Sequence, residues 1–216
     1  NVEFLCLKAG PVNDNVYHLV RNLVSDNTEN HQAWNLYNYI LTRMKGAGVD
    51  LRFTVRALMK NPNSIPLSIL NGNERLISST YTQAVAEYMD VFKKMPDNDM
   101  VILCSAISLL HIASNAHVVR KNNLILQITS LLNVYREMRG ECQETYYNIG
   151  RAWNQMNIQF AAVHYYKKAL EFPAAVIDDK GTFDLRREIA YNLSRIYMRS
   201  NNYDYARYYI ERYCVI

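Results

Sequence analysis

Apolar and polar positions follow a helical period along most of the chain, and the clearest example runs from Glu144 to Pro173. Apolar residues recur there every three or four positions, which is the spacing of residues on one face of an α-helix. A short polar turn separates two such stretches. The segment therefore predicts two amphipathic helices that pack against each other.

The residue types within this segment follow a fixed order. With Gln143 as position 1, the characteristic residues are Tyr146 at position 4, Ile149 at 7, Gly150 at 8, Trp153 at 11, Ala162 at 20, Tyr166 at 24 and Ala169 at 27. This order resembles that of the tetratricopeptide repeat, a helix-turn-helix unit of about 34 residues. We expect the small Gly150 and Ala162 to let the two helices of one repeat cross closely. The aromatic side chains are expected to fill the space between neighbouring repeats.

Four more copies of this pattern begin at His31, Ile65, Asp99 and Arg187. The copy that begins at residue 65 is strong, because Gly72, Ala84 and Tyr88 hold positions 8, 20 and 24. The copy at residue 99 lacks the aromatic positions, and the copy at residue 31 has Asp50 at position 20. A single repeat cannot bury its apolar face alone. The copies therefore predict an all-α fold, a superhelical solenoid of antiparallel helix pairs.

The predicted repeats occupy residues 31–64, 65–98, 99–142, 143–186 and 187–216 and form one continuous domain. Residues 1–30 are predicted to hold the end of a preceding repeat and a turn. The last two repeats begin about ten residues later than a period of about 34 residues would place them. The extra residues are expected in a long second helix at 118–138 and in an inserted loop at 174–184, which is a candidate contact for a partner subunit. About eleven helices follow from this arrangement.

The composition favours a folded helical protein without strong charge. Half of the 216 residues are apolar, and Gly and Pro number only seven and five. This excludes a disordered chain and is typical of long helices joined by short turns. The net charge of +4 is too small to indicate a dedicated nucleic-acid-binding protein.

Sequence motifs for catalysis, cofactor binding or metal binding are absent from the chain. Nucleotide-binding glycine loops, the hydrolase G-x-S-x-G and the metalloprotease H-E-x-x-H do not occur. The histidines share no metal-ligand spacing with cysteines or carboxylates. We therefore predict that the chain is not an enzyme and binds no cofactor and no metal.

The four cysteines, Cys6, Cys104, Cys142 and Cys214, are far apart in the sequence. This spacing predicts free and mostly buried thiols in a reducing compartment. No signal-peptide pattern and no long apolar run occurs, which predicts an intracellular, soluble protein with no membrane contact. Because the chain starts at Asn1 rather than at a methionine, we expect it to be a fragment of a longer protein.

Several segments are more specific than a generic repeat. They are GECQETYYNIGRAWNQM, HYYKKALEFP, DLRREIAYNLSRIYMRSNN and AWNLYNYILTRM. Together they resemble the C-terminal repeat region of the tetratricopeptide-repeat subunit of transcription factor C of RNA polymerase III, also called transcription factor IIIC. The resemblance extends from Trp34 to the end of the chain.

The resemblance implies a scaffold in the nucleus, within a factor that recognises the internal promoters of transfer-RNA genes. It implies that the chain holds the other subunits of this factor together and helps to recruit components of the initiation factor. Other subunits read the DNA, so contact of this chain with DNA is expected to be indirect.

Candidate binding residues come from the face of the first helix of each repeat that lines the concave groove. Positions 5, 9 and 12 place Tyr147, Arg151 and Asn154 there in the fourth repeat, and positions 5 and 9 place Tyr191 and Arg195 there in the fifth. Tyrosine and arginine are favoured anchors of buried protein interfaces, so these five residues are predicted to bind a partner. The alternative is that the tyrosines pack against a neighbouring helix while the arginines pair with acidic residues at position 2, which are Glu144 and Glu188.

Two other functions stay open at this point. Asn148 and Asn192 at position 6 resemble the repeats of chaperone adaptors that capture a C-terminal peptide, although the Lys at position 5 and the Asn at position 9 of that clamp are missing. A hydrogen bond from either Asn to another helix is the favoured alternative. The last repeat also interleaves arginine with tyrosine, a combination that can bind phosphates and stack on bases.

Overall fold

The computed structural model describes residues 14–43, 51–115, 118–176 and 182–214. These ranges contain eleven helices: α1 Asp14–Asp26, α2 His31–Arg43, α3 Leu51–Lys60, α4 Ile65–Ile77, α5 Tyr81–Lys94, α6 Asp99–Ala113, α7 Lys121–Arg139, α8 Gln143–Gln155, α9 Gln159–Glu171, α10 Arg186–Arg199 and α11 Tyr203–Tyr213. Two short strands, β1 Ala175–Val176 and β2 Thr182–Phe183, lie between α9 and α10. The predicted all-α class of tetratricopeptide-type helix pairs is confirmed.

The helices keep the predicted register. Helices α2, α4, α6 and α8 begin at the first residue of four predicted repeats, and α10 begins at Arg186, one residue before the fifth. The residues group into two compact units, 1–108 and 109–216. The division into five repeats within one continuous domain stays a prediction.

The apolar faces of the first unit form two buried clusters. Residues of α1 to α4 share one cluster, which is centred on the fully buried Val20, Tyr37 and Ile40. A second cluster joins α5 to the start of α6, and its central residues are Tyr88 and Val101. In α1 to α5 the helical spacing of apolar residues supplies these contacts from one face, whereas α6 is apolar around most of its surface.

The second unit has one large cluster, formed by α8 to α11. Its fully buried members include Tyr146, Ala162, Tyr166, Ile189 and Leu193. Tyr146 of α8 shares this cluster with residues of α10, and its ring lies 5.2 Å from the ring of Phe172, which directly follows α9. The small Ala162 is completely buried.

A tyrosine ring lies directly on a glycine in each unit. A Cβ atom added to Gly150 would lie 2.7 Å from Cδ1 of Tyr166, and one added to Gly72 would lie 2.7 Å from Cε1 of Tyr88. Both pairs join position 8 to position 24 of one repeat. The glycine therefore makes room for an aromatic ring of the second helix. The expectation that Tyr166 only fills the space between repeats was incomplete, since its ring first packs within its own repeat.

The turn between the two helices of a repeat has the same backbone shape in three places. Ser79, Asn157 and Asn201 are left-handed, with φ of 63°, 61° and 58°. The next residue closes the helix end with a backbone hydrogen bond to the carbonyl five residues earlier, for example Thr80 to Arg75 at 2.9 Å. This is a Schellman ending, which satisfies carbonyl groups that the helix leaves unpaired.

The two predicted insertions take different forms. Helix α7 has 19 residues, whereas α8 and α9 have 13 each, so a longer helix accommodates the first insertion. The second insertion was predicted to be a loop, but its ends pair as antiparallel strands with Ala175 opposite Phe183. The candidate contact residues at 177–181 lie outside the described residues.

The cysteines differ from expectation in one respect. The thiols of Cys104, Cys142 and Cys214 are free, but they are half-buried rather than buried. Asp50 and Cys6 lie outside the described residues.

Replacing Gly150 by alanine is expected to lower the free energy of unfolding by about 1–3 kcal/mol, because the new methyl group overlaps the buried ring of Tyr166. Alanine in an exposed helix would instead gain about 1 kcal/mol over glycine. Urea denaturation followed by circular dichroism measures the difference. The exposed neighbour Arg151→Ala is the control, and a Gly150→Ala variant as stable as the unchanged chain would contradict the packing.

Replacing Ser79 by glycine is expected to raise the free energy of unfolding by about 0.5–1 kcal/mol, because glycine adopts a positive φ without steric strain. The matched control is Ser78→Gly, since Ser78 has a φ of −78° and gains nothing from glycine. The same denaturation experiment compares both variants. Equal effects at the two positions would show that the left-handed turn is not the cause.

Candidate protein-binding site

The first candidate pair, Tyr147 and Arg151, occupies one face of α8. The Arg151 guanidinium carbon lies 5.8 Å from the centre of the Tyr147 ring, which is cation–π distance. The Tyr147 ring in turn lies 6.0 Å from the ring of Tyr166 on α9. Tyr147 is therefore half-buried and held by packing, while Arg151 is exposed.

The second candidate pair, Tyr191 and Arg195, repeats this geometry on α10. Its guanidinium carbon also lies 5.8 Å from the ring centre, and Nη1 of Arg195 donates a hydrogen bond of 3.1 Å to the Tyr191 hydroxyl. The Tyr191 side chain is 51% exposed. Helices α8 and α10 thus each carry a tyrosine–arginine pair. In both pairs the arginine follows the tyrosine by one helical turn.

The two arginines do not pair with the acidic residues at position 2. The Glu144 carboxylate accepts from Arg139 at 2.8 Å instead. Within the described residues, no carboxylate lies within the 4.0 Å ion-pair distance of Arg151 or Arg195. The alternative in which these arginines pair with Glu144 and Glu188 is therefore wrong. Its other part agrees with the structure for Tyr147, which packs against the neighbouring helix α9.

The third candidate of the fourth repeat, Asn154, faces inward. Its amide and that of Asn192 on α10 approach the hydroxyl of the buried Tyr166. Burial raises the pKa of Tyr166 above its ordinary value, so this hydroxyl stays neutral at any physiological pH. A partner-binding role for Asn154 stays a prediction, and the structure places its side chain next to the core.

The asparagines at position 6 lie between successive helix pairs. Asn148 Nδ2 donates to the hydroxyl of Tyr135 on α7 at 3.1 Å, which is the helix-to-helix hydrogen bond expected for this residue, and the Asn192 amide lies near the hydroxyl of Tyr166. In the first unit the thiol of Cys104 holds the same position 6 and lies near the hydroxyl of Tyr88, which donates to Asn73 Oδ1 on α4 at 2.7 Å. A polar residue at position 6 therefore meets a tyrosine hydroxyl of the preceding helix. Tyr88 and Tyr166 hold position 24 of the preceding repeat, whereas Tyr135 lies further along the longer helix α7, so the repeat frame identifies only part of this pattern.

The last helix carries a stack of tyrosines. The rings of Tyr197 and Tyr209 lie 5.8 Å apart and nearly parallel, and those of Tyr197 and Tyr205 lie 5.3 Å apart. A hydrogen bond from Lys167 to Tyr197 raises the pKa of the lysine ammonium. The rings of Tyr203 and Tyr208 remain 65% and 45% exposed, so part of this aromatic surface faces solvent.

Among the described residues, no group of three or more metal-ligating side chains is present. None of the described helices is long and apolar enough to cross a lipid bilayer.

Helix pairs with a glycine–tyrosine contact and Schellman turns define a tetratricopeptide-repeat protein. A thermophilic tetratricopeptide-repeat protein of Thermus thermophilus has a similar structure, with a TM-score of 0.63 over 85% of this chain and 89% of that one at 16% identity. The Cut9–Hcn1 hetero-tetramer of the APC/C matches with a TM-score of 0.62 over 91% of this chain and 36% of that one at 15% identity. These similarities concern the fold alone. No family model matches the chain.

The sequence relatives are more specific. The chain is 36% identical over 220 residues to the human general transcription factor 3C polypeptide 3, a match that covers 100% of this chain and 25% of the human protein. It is 29% identical over 150 residues to the transcription factor tau subunit sfc4 of Schizosaccharomyces pombe, covering 63% of this chain and 15% of that protein. The chain thus spans about a quarter of the length of the human relative. The chain is a homologue of the tetratricopeptide-repeat subunit of transcription factor C, which confirms the resemblance.

Replacing Tyr135 by phenylalanine and Asn148 by alanine should destabilise the chain non-additively, because both changes remove the same hydrogen bond. We expect a coupling free energy of about 0.5–1.5 kcal/mol from a double-mutant cycle measured by urea denaturation. Pairing Tyr135→Phe with the distant change Arg199→Ala serves as the control. Full additivity of the first pair would mean that the bond adds nothing to the packing of α7 on α8.

Proposed function

We propose that this chain is a protein-interaction scaffold that helps to assemble transcription factor C of RNA polymerase III in the nucleus. Its partners are other subunits of the same factor and components of the initiation factor that places the polymerase at transfer-RNA-type promoters. The identity with the human relative along the whole chain supports this proposal. Contact with DNA is indirect in this proposal.

The observation that carries the proposal is the repeated tyrosine–arginine pair. Tyr147 with Arg151 and Tyr191 with Arg195 have the same separation of 5.8 Å on two successive first helices. Both residue types are enriched among the side chains that dominate binding energy at protein interfaces. The contact with the tyrosine ring also restricts the conformations of the arginine side chain in the unbound protein. Less conformational entropy is therefore lost when a partner binds.

The chaperone-adaptor alternative has less support. Its clamp would need the amides of Asn148 and Asn192 to face a peptide carboxylate. Asn148 instead donates to Tyr135, and Asn192 approaches Tyr166. Both amides therefore contribute to packing between helices.

Direct nucleic-acid binding through the last repeat is the second candidate function. The exposed rings of Tyr203, Tyr205 and Tyr208 on α11 favour it, since tyrosine can stack on bases. Carboxylates interrupt this surface, however, and Arg207 lies 4.0 Å from Glu211. The mixed charge is less suited to a continuous phosphate backbone.

Replacing both Arg151 and Arg195 by glutamine should reduce recovery of the other factor subunits from nuclear extract by about tenfold or more, because two interface anchors are lost. Affinity purification of the tagged chain with quantitative mass spectrometry measures the recovery. A variant with Arg199→Gln and Arg120→Gln loses the same charge at exposed positions outside the pairs and should match the unchanged chain. The proposal fails if the unchanged chain recovers neither subunits of the factor nor initiation-factor components.

A further inference from the structure

Among the described residues, no carboxylate forms an ion pair with the guanidinium group of either tyrosine–arginine pair. The ion pairs that involve a residue of α8 or α10 there are Arg139 with Glu144 and Arg186 with Asp184. Arg151 and Arg195 contact tyrosine rings instead. An aromatic ring attracts a cation but leaves the N–H donors of the guanidinium free.

The ring contacts also set the direction of each guanidinium. Arg195 uses one N–H on the Tyr191 hydroxyl at 3.1 Å, which leaves donors available for a second partner. The planar fork of an arginine matches the two oxygens of a carboxylate. Each pair is therefore a preformed site whose guanidinium donates hydrogen bonds to one acidic side chain.

Apolar surface accompanies these charges. The side chains of Tyr191 and Met198 on α10 are 51% and 46% exposed. They hold positions 5 and 12 of the same helix face as Arg195 at position 9. A partner that fits this face combines carboxylates with apolar side chains.

The same face argues for a polypeptide rather than a nucleic acid. Glu188 is exposed one turn before Tyr191, and Glu144 is close to Tyr147 in the sequence. A regular row of phosphates would meet these carboxylates, whereas a polypeptide can place neutral residues opposite them.

We propose that Arg151 and Arg195 bind two carboxylates of an acidic segment in a partner protein, with apolar side chains of that segment covering Tyr191 and Met198. The inference rests on the proposed scaffold function and names the chemistry of its partner. The segment crosses α8 and α10, the first helices of two successive repeats.

The test measures fluorescence anisotropy of the full chain with a labelled peptide of alternating Glu and Leu residues. A matched peptide with Gln in place of every Glu should bind about tenfold more weakly or worse. Arg195→Gln should weaken binding of the Glu peptide about tenfold, and Arg195→Lys should restore only part of it, because lysine lacks the bidentate fork.

Arg212→Gln is the matched control variant. Arg212 also lies over a tyrosine, 5.5 Å from the ring of Tyr208, but on the second helix α11. The Arg212→Gln variant should bind the Glu peptide with an affinity within about twofold of that of the unchanged chain. The reason is that Arg212 lies outside the binding face, which is formed by α8 and α10. An equal loss for Arg212→Gln and Arg195→Gln would overturn the assigned face.

The outcomes separate this inference from the proposed function. Equal binding of the Glu and Gln peptides, or tighter binding of a labelled single-stranded oligonucleotide of equal charge, overturns the inference. If the arginines are needed to recover the factor subunits but no Glu peptide binds, the inference fails and the scaffold function stands. If the Glu peptide binds through Arg195 but the unchanged chain recovers neither factor subunits nor initiation-factor components, the acidic-segment site stands and the proposed function fails.

Discussion

In two of the helix pairs, the contact of a tyrosine ring with a glycine sets how closely the two helices approach. The ring of Tyr166 occupies the place where a side chain of Gly150 would lie, and Tyr88 does the same at Gly72. Both rings are fully buried, so neither can move aside without opening the core. The second helix of the repeat is thereby held close to the first.

The hydroxyls of these rings face polar side chains. Tyr88 donates to Asn73 at 2.7 Å, and the amides of Asn154 and Asn192 lie near the Tyr166 hydroxyl. The ring of Tyr166 also packs against the ring of Tyr147. The guanidinium of Arg151 in turn lies over the Tyr147 ring. A buried packing contact thus positions an exposed charged group, and the candidate site depends on the core that supports the fold.

Much of the fold and part of the site could be predicted because both depend on local spacing. Helix starts at His31, Ile65, Asp99 and Gln143 follow directly from the repeat pattern. The pairing of Tyr191 with Arg195 follows from their separation by one helical turn. The inward direction of Asn154 could not be predicted in this way, because it depends on a tyrosine of another helix.

The sequence by itself determined the helical period, the places of glycine and tyrosine in each repeat, and the relation to transcription factor C, since each depends on residue order. Tertiary structure alone decided the partners of the polar and charged side chains. Glu144 bonds to Arg139 rather than Arg151, Asn148 bonds to Tyr135, and the ends of the second insertion pair as strands. The physical reason is that a polar side chain pairs with whichever group the packed helices bring within hydrogen-bond distance, and this distance is not encoded in spacing along the chain.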